Sequence, residues 1–441
     1  MSGRQAESDA DSGGRPRQPR LVAVIRPFVA GNFSRSTARA NVAHRIDDSP
    51  PMSAATRTIA LLLAGLLAVG SSALAQGSAG AASSPDWRTP VQRILRDVRR
   101  IPAPPGIEET RAVRIGGIEQ WISVRGRDRR NPILLFIHGG PASTEMPVSW
   151  MYQSGWEDYF TVVQWDQRGA GKTYVANDPA IVEPTIAAER MIADGEELTA
   201  WLREHYGKRR IFVLGHSWGS IIGLELARRH PDWLHAYIGM GQMIHGRDNE
   251  RLGYDWALQA ARADHNDKAV QQLLAIAPYP RPDGTVTVPQ IITQREWVIH
   301  YGGLTWGRPD FDYAQGAAKF SPDYTRKELS PEDGIGESLP RLLPAMMAWD
   351  VRNLNRLDCP VFIFAGRHDY ETPSQLAVDW LAALHAPRKG LVMFENSAHM
   401  MELEEPGKVL VHLVTDVRPI AEEAGDAATV DAPGWRIRKL L

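Results

Sequence analysis

The stretch Gly215-His216-Ser217-Trp218-Gly219 sets a serine between two glycines. An apolar run, Ile211 to Leu214, leads into it with the length and flanks of a buried strand. A helical pattern follows, with Ile221, Ile222, Leu224, Leu226 and Ala227, and closes at His230-Pro231. A strand, G-x-S-x-G, then a helix is the setting of a nucleophile elbow. The turn is sharp enough to strain the serine backbone, and a side chain at Gly215 or Gly219 would collide with the neighbouring strand or helix. The hydroxyl then stands clear of the sheet, at the positive end of a helix dipole.

A serine hydroxyl is a poor nucleophile at neutral pH and needs a base, and the base needs an orienting group. In a strand-helix architecture of this kind the orienter follows a late strand and the base follows the last one. The run V-F-I-F-A-G-R-H-D puts Asp369 in the first slot, and L-V-M-F-E-N-S-A-H puts His399 in the second. His368 is a rival base, but it precedes the intervening helix and would invert the chain order. A tetrahedral oxyanion needs two backbone N–H donors. Trp218 supplies one. The loop His138-Gly139-Gly140-Pro141 supplies the other, and because Pro141 has no N–H the donor expected is Gly140. The same residues also have bland readings: a turn serine, a helix N-cap aspartate, a surface-loop histidine and a glycine turn. Against those readings, each residue fills the single loop where the chemistry requires it.

The elements that must position these groups alternate. Arg111 to Ile115 and Ile118 to Val124 read as a hairpin about Gly116-Gly117. Ile133 to Ile137, Phe160 to Trp165, Ile211 to Leu214 and His235 to Ile238 read as strands, with a helix over Ile186 to Tyr206. Alternation predicts an α/β fold, a mostly parallel central sheet with helices on both faces. It stops at Met243 and resumes at Val361, so residues 243–349 are expected to be an inserted helical cap over the carboxyl edge of the sheet. The core is then 108–242 plus 350–420, with a linker and N-terminal segment at 76–107 and a tail at 421–441.

Residues 1–51 are rich in Arg, Ser, Gly and Pro and read as a disordered or untranslated extension. Met52 opens a secretory signal: Arg57, an apolar run Ile59 to Val69, and Ala73-Leu74-Ala75 as a cleavage site. Residues 52–75 are thus expected to direct export, to a periplasm or outside the cell. An uncleaved anchor is the alternative, although the apolar run is short for a span. A net charge of −2 makes no electrostatic case for nucleic acid or an anionic membrane. The single cysteine, Cys359, excludes an intrachain disulfide and reads as a small buried residue. Gly171-Lys172-Thr173 fails as a phosphate loop because Asp166 stands where that motif needs glycine. Asp166 and Arg168 are instead expected to pair under the site. There is no H-E-x-x-H and no Cys/His cluster, so neither a metal nor a cofactor is expected.

H-G-G-P at 138–141, D-Q-R-G-A-G-K-T at 166–173, G-H-S-W-G-S at 215–220, G-R-H-D at 366–369 and S-A-H at 397–399 together resemble the α/β-hydrolase fold enzymes of the proline iminopeptidase type, over roughly residues 108–420. The resemblance implies an α/β-hydrolase core with a helical cap, Ser217, Asp369 and His399 as triad, and Gly140 and Trp218 as oxyanion hole. It weakens where substrate is chosen. The peptidases hold the substrate ammonium with cap carboxylates in motifs like W-x-x-W-E and E-N-H-Y-F, and neither is present. Glu296, in Gln294-Arg295-Glu296-Trp297, is the nearest candidate for an ammonium contact, with a solvated helix charge as the competing reading. The aromatic cap residues Trp256, Trp297, Trp306 and Trp349 suit either a partly apolar substrate or a cap core. The expected activity is a serine hydrolase on a small ester, amide or short peptide. Proline release, acyl transfer to an acceptor other than water, and a non-catalytic binding module on the same fold remain as alternatives.

Overall fold

The computed structural model describes residues 86–428 apart from 87, 103, 330 and 331. The expected extension at 1–51 and the signal at 52–75 lie outside the described residues, as does the tail beyond 428.

Eight strands form one sheet: β1 (Ile107–Ile115), β2 (Ile118–Gly126), β3 (Ile133–Ile137), β4 (Thr161–Asp166), β5 (Ile211–His216), β6 (Leu234–Met240), β7 (Val361–Gly366) and β8 (Lys389–Phe394). Their spatial order is β1-β2-β4-β3-β5-β6-β7-β8. The β1–β2 hairpin closes on Gly116 and Gly117, both at positive φ, the backbone of a primed two-residue turn. β2 also runs antiparallel to β4, and every later pairing is parallel.

β3 through β7 are buried on both faces, which is why they read as continuous apolar runs rather than alternating ones. Their side chains still divide by parity. Leu135, Ile137, Val213 and Ile363 pack on one face with the helices Ala188–His205, Trp218–Arg229 and Ser374–Ala383. Phe136, Phe212, Leu214 and Phe364 pack on the other with Trp156, Val409, Leu413 and Val417. Helices Gly246–Ala263, Asp267–Ala275, Val288–His300, Asp312–Ala318 and Glu332–Ala348 fall between β6 and β7, as the break in alternation predicts. They carry their own apolar centre, with Leu258, Leu273, Ile291, Trp297 and Leu343.

The aromatic residues of this insertion serve mostly as packing. Trp256 stacks on Tyr370 at 4.1 Å, Trp306 stacks on His368 at 4.4 Å, and Trp349 donates its indole N–H to the Met243 carbonyl.

The expected Asp166–Arg168 ion pair does not form. Arg168 is fully buried and bonds Asp194 in a fork, Nε to Oδ2 at 2.7 Å and Nη2 to Oδ1 at 3.1 Å, with Gly116 O and Thr185 Oγ1 taking two more of its protons. Asp166 points elsewhere, accepting from Thr144 Oγ1, Tyr324 O–H and the Lys172 N–H. Two residues along a chain leaving a strand diverge, and a rigid guanidinium seeks a carboxylate that can meet its fork, here on a helix packed across the sheet. Thr173 of the discarded phosphate-loop lookalike binds the Asp166 carbonyl at 2.6 Å and accepts the Trp121 N–H at 2.8 Å, a strand-to-helix fastening.

Candidate functional site

Ser217 has φ 55° and ψ −122°, a left-handed backbone that a non-glycine residue rarely adopts. Neighbouring contacts hold it there. Its N–H donates to Met240 O at 3.0 Å, and its carbonyl accepts from the Ser220 N–H at 2.9 Å. A Cβ on Gly219 would lie 2.1 Å from the Ile137 carbonyl of β3, and one on Gly215 would lie 2.5 Å from Gly219 O. The two glycines are therefore required by close backbone approach, as expected. A Cβ on Gly139 would come within 2.7 Å of Ser217 Cβ, so the loop after β3 lies directly against the serine.

His399 and Asp369 are brought together. His399 Nδ1 lies 2.8 Å from Asp369 Oδ2, with both residues buried. The carboxylate can only accept, so Nδ1 carries the proton and Nε2 keeps its lone pair. Asp369 is held in turn: Oδ1 accepts from the N–H groups of Glu371 and Thr372 at 2.9 and 2.8 Å, and Oδ2 accepts from Thr372 Oγ1 at 2.9 Å. Burial pushes the His399 imidazole down, but the charge and hydrogen bond of Asp369 outweigh it, and the net shift is upward from 6.5. The His399 ring lies 4.7 Å from that of His216, the residue preceding Ser217. His368, the rival base, is stacked under Trp306 and bonds Ser397 O only through its backbone N–H.

Ser217, His399 and Gly140 line one cavity of about 1470 Å³, walled on its far side by the inserted helices. Trp218 does not line it. The Trp218 side chain is fully buried, with Nε1 bonded to Gln167 Oε1 at 3.2 Å. Its backbone N–H is the first of the elbow helix and has no carbonyl one turn back to bond. Glu296 and Trp297 line the same cavity. Glu296 is 9% exposed, and burial raises its pKa against the pull of Lys268. Glu296 is therefore not the fully solvated helix charge of the competing reading: it sits on the cavity wall, 9% exposed. Of the four cap tryptophans, only Trp297 reaches the cavity wall.

Three positioning residues escaped the sequence reading. Gln167 donates to His138 O at 2.7 Å and accepts from the Trp218 indole, joining the glycine loop to the elbow helix. Glu404 accepts from the N–H groups of Ala398 and Met400, on either side of His399, at 3.0 and 3.2 Å. Glu404 also takes the Trp306 N–H at 2.6 Å, and His399 N–H bonds Leu304 O at 2.9 Å, so the base loop is tied to the insertion. Glu405 holds Asn396 and Ser397. The only trace in the sequence is the acidic run Glu402-Leu403-Glu404-Glu405 just after His399. Cys359 is buried, and burial pushes its thiol up to about 12, which suits packing and not nucleophilic chemistry.

A strained serine, a carboxylate-held imidazole and a glycine loop at the carboxyl edge of this sheet define a hydrolase of the α/β type. The chain belongs to the alpha/beta hydrolase fold family, whose model matches residues 132–406. It is similar to the protein named "Probable aminopeptidase YbaC" of Bacillus subtilis, at 29% identity over 314 residues, 69% of this chain and 95% of that one. A proline iminopeptidase of Lactobacillus helveticus is 27% identical over 123 residues, 28% of this chain but only 40% of its own length. The crystal structure of proline iminopeptidase from Mycobacterium smegmatis superposes with a TM-score of 0.50 at 21% identity, over 72% of this chain and 100% of that one, a likeness of fold.

Proposed function

We propose that this protein is an exported serine hydrolase cleaving a small ester or amide through an acyl-enzyme. The observation that carries the reading is Ser217 at φ 55° on a cavity that also holds His399, with Nδ1 bound to Asp369. Ser217 Oγ attacks the substrate carbonyl while His399 Nε2 takes its proton. The Trp218 and Gly140 N–H groups receive the oxyanion, and the imidazolium, steadied by Asp369, returns the proton to the departing alcohol or amine. Water, activated by His399 in the same way, then opens the acyl-enzyme and frees Ser217.

One observation favours the narrower reading of an aminopeptidase. Glu296 lines the cavity, is 9% exposed and forms no direct ion pair among the described residues, with Lys268 acting on it only from a distance, which suits a substrate ammonium. The name of the Bacillus subtilis relative points the same way.

The test is fluorophosphonate labelling of protein expressed from Met52, wild type beside Ser217→Ala, with p-nitrophenyl esters and aminoacyl-naphthylamides as substrates. Labelling of the wild type alone is expected. Absence of labelling in a folded wild type sinks the nucleophile assignment and favours a binding module. Amide turnover preferring proline marks an iminopeptidase, and product formation dependent on an added alcohol or amine marks acyl transfer. Export rests on residues 52–75, and periplasmic or extracellular recovery of a chain beginning at Gln76 is the expected result. Among the described residues no helix is long and apolar enough to cross a membrane.

A further inference from the structure

Beside the nucleophile, three groups from distant parts of the chain converge, and the atoms they turn to one another include several that accept no hydrogen bond. Glu145 comes from the loop after β3, His216 from the end of β5, and Glu402 from the turn after His399. Their exposures are 5%, 2% and 0%. One ligand-capable atom from each lies within 4.8 Å of the others.

The hydrogen bonds make this cluster acceptor-only. The His216 Nε2–H group donates to His399 O at 3.0 Å, so the Nδ1 atom carries a lone pair, and it has no partner. Both carboxylate oxygens of Glu402 and Oε2 of Glu145 also lack partners. No Lys or Arg among the described residues pairs with either carboxylate. Buried carboxylates and an imidazole lone pair facing one another repel, and a positive species between them removes the conflict.

We propose that Glu145, His216 and Glu402 bind one divalent transition-metal cation. Ligands about 2.1 Å from one ion stand at most about 4.2 Å apart, so the set closes on an ion with side-chain shifts under about an ångström. Two carboxylates and one imidazole suit Zn2+ or Mn2+ better than Ca2+, which prefers oxygen ligands alone. The bond from His216 to a backbone carbonyl is the outer contact that fixes the tautomer of a metal-binding histidine. Glu145 and His216 line the cavity, which gives an ion its way in. The sequence offered no such site because its ligands are 71 and 186 residues apart along the chain, with no local motif.

The ion would fasten the three segments that carry the chemistry. Gly140 lies in the loop of Glu145, Ser217 follows His216, and His399 precedes Glu402 by one turn. These are positioning residues. The rival occupant is a proton, with one carboxyl protonated and bonded to the other.

The test uses the full chain, stripped with a chelator and then titrated with Zn2+ or Mn2+, with Mg2+ and Ca2+ as controls. Bound metal is counted by mass spectrometry, affinity is read by calorimetry, and the melting temperature is recorded. The expected result is one equivalent of Zn2+ or Mn2+, a higher melting temperature on loading, and affinity at least about 100-fold weaker in Glu402→Gln and in Glu145→Gln. Should one variant fail to fold, the other and the wild-type stoichiometry decide. The proposal is overturned if the wild type takes up neither metal, if both variants bind as well as it does, or if Glu402→Gln stabilises a metal-indifferent protein, which would mark a shared proton. Fluorophosphonate labelling of the same samples reads separately whether Ser217 is a nucleophile.

Discussion

Replacing Asp369 by asparagine isolates one charge at the proposed triad. The carboxylate lies 2.8 Å from His399 Nδ1 and both groups are buried. Once His399 has taken a proton, unit charges at that separation in an effective dielectric of about 20 attract by roughly 6 kcal/mol. Asparagine keeps the shape, and its carbonyl can still accept from the Glu371 and Thr372 N–H groups, so the loop is retained. It loses the charge, and its amide N–H facing Nδ1 selects the wrong imidazole tautomer. At 1.36 kcal/mol per tenfold in rate, the loss expected in kcat/KM is about 10⁴. The pH profile gives an independent readout. Asp369 holds His399 above its ordinary 6.5, and the base works unprotonated, so wild-type activity should rise with pH through a value above 6.5. Removing the charge should move that limb to lower pH. The assay is kcat/KM against pH on a p-nitrophenyl ester, with the melting temperature confirming the fold. A loss below tenfold, or an acid limb that stays in place, refutes the role given to Asp369.

Asp194→Ala leaves the fully buried Arg168 guanidinium without its carboxylate, and a loss of about 3–5 kcal/mol is expected in urea unfolding. A change below about 1 kcal/mol would show that Gly116 O and Thr185 suffice. Glu296→Gln should raise KM for aminoacyl-naphthylamides by about 10- to 100-fold and leave ester hydrolysis alone, if this buried carboxyl meets an ammonium. An equal effect on both substrate types would assign it to packing. Cys359, buried and pushed up to about 12, should resist iodoacetamide at pH 8 in the native protein and react after denaturation. Rapid native alkylation would mean that this part of the core opens.

The elbow, the strands beside it along the chain and the loop positions of Asp369 and His399 could be read from the sequence because each depends on a few consecutive residues, whereas the crossed spatial order β2-β4-β3-β5 could not. An apolar run ends in a loop, and the loop residue inherits the sheet's carboxyl edge. Gly215 and Gly219 were legible for the same reason, since their backbone contacts are set by the turn itself. The hairpin at Gly116-Gly117 and the helical break after Met243 also declared themselves locally. What only the tertiary structure decided concerns groups whose partners lie far along the chain. Arg168 found Asp194 and not its near neighbour Asp166, because a buried guanidinium takes the carboxylate whose geometry fits its fork. Glu296 lines the cavity because helix packing, not helix periodicity, placed it there. Glu404 bridges both sides of His399 and the insertion, and Glu145, His216 and Glu402 meet beside the serine. Local pattern carries the strand, the turn and the order of the catalytic loops. Charge pairing in a buried site is settled by whichever groups the fold desolvates together, and that is a property of the packed chain alone.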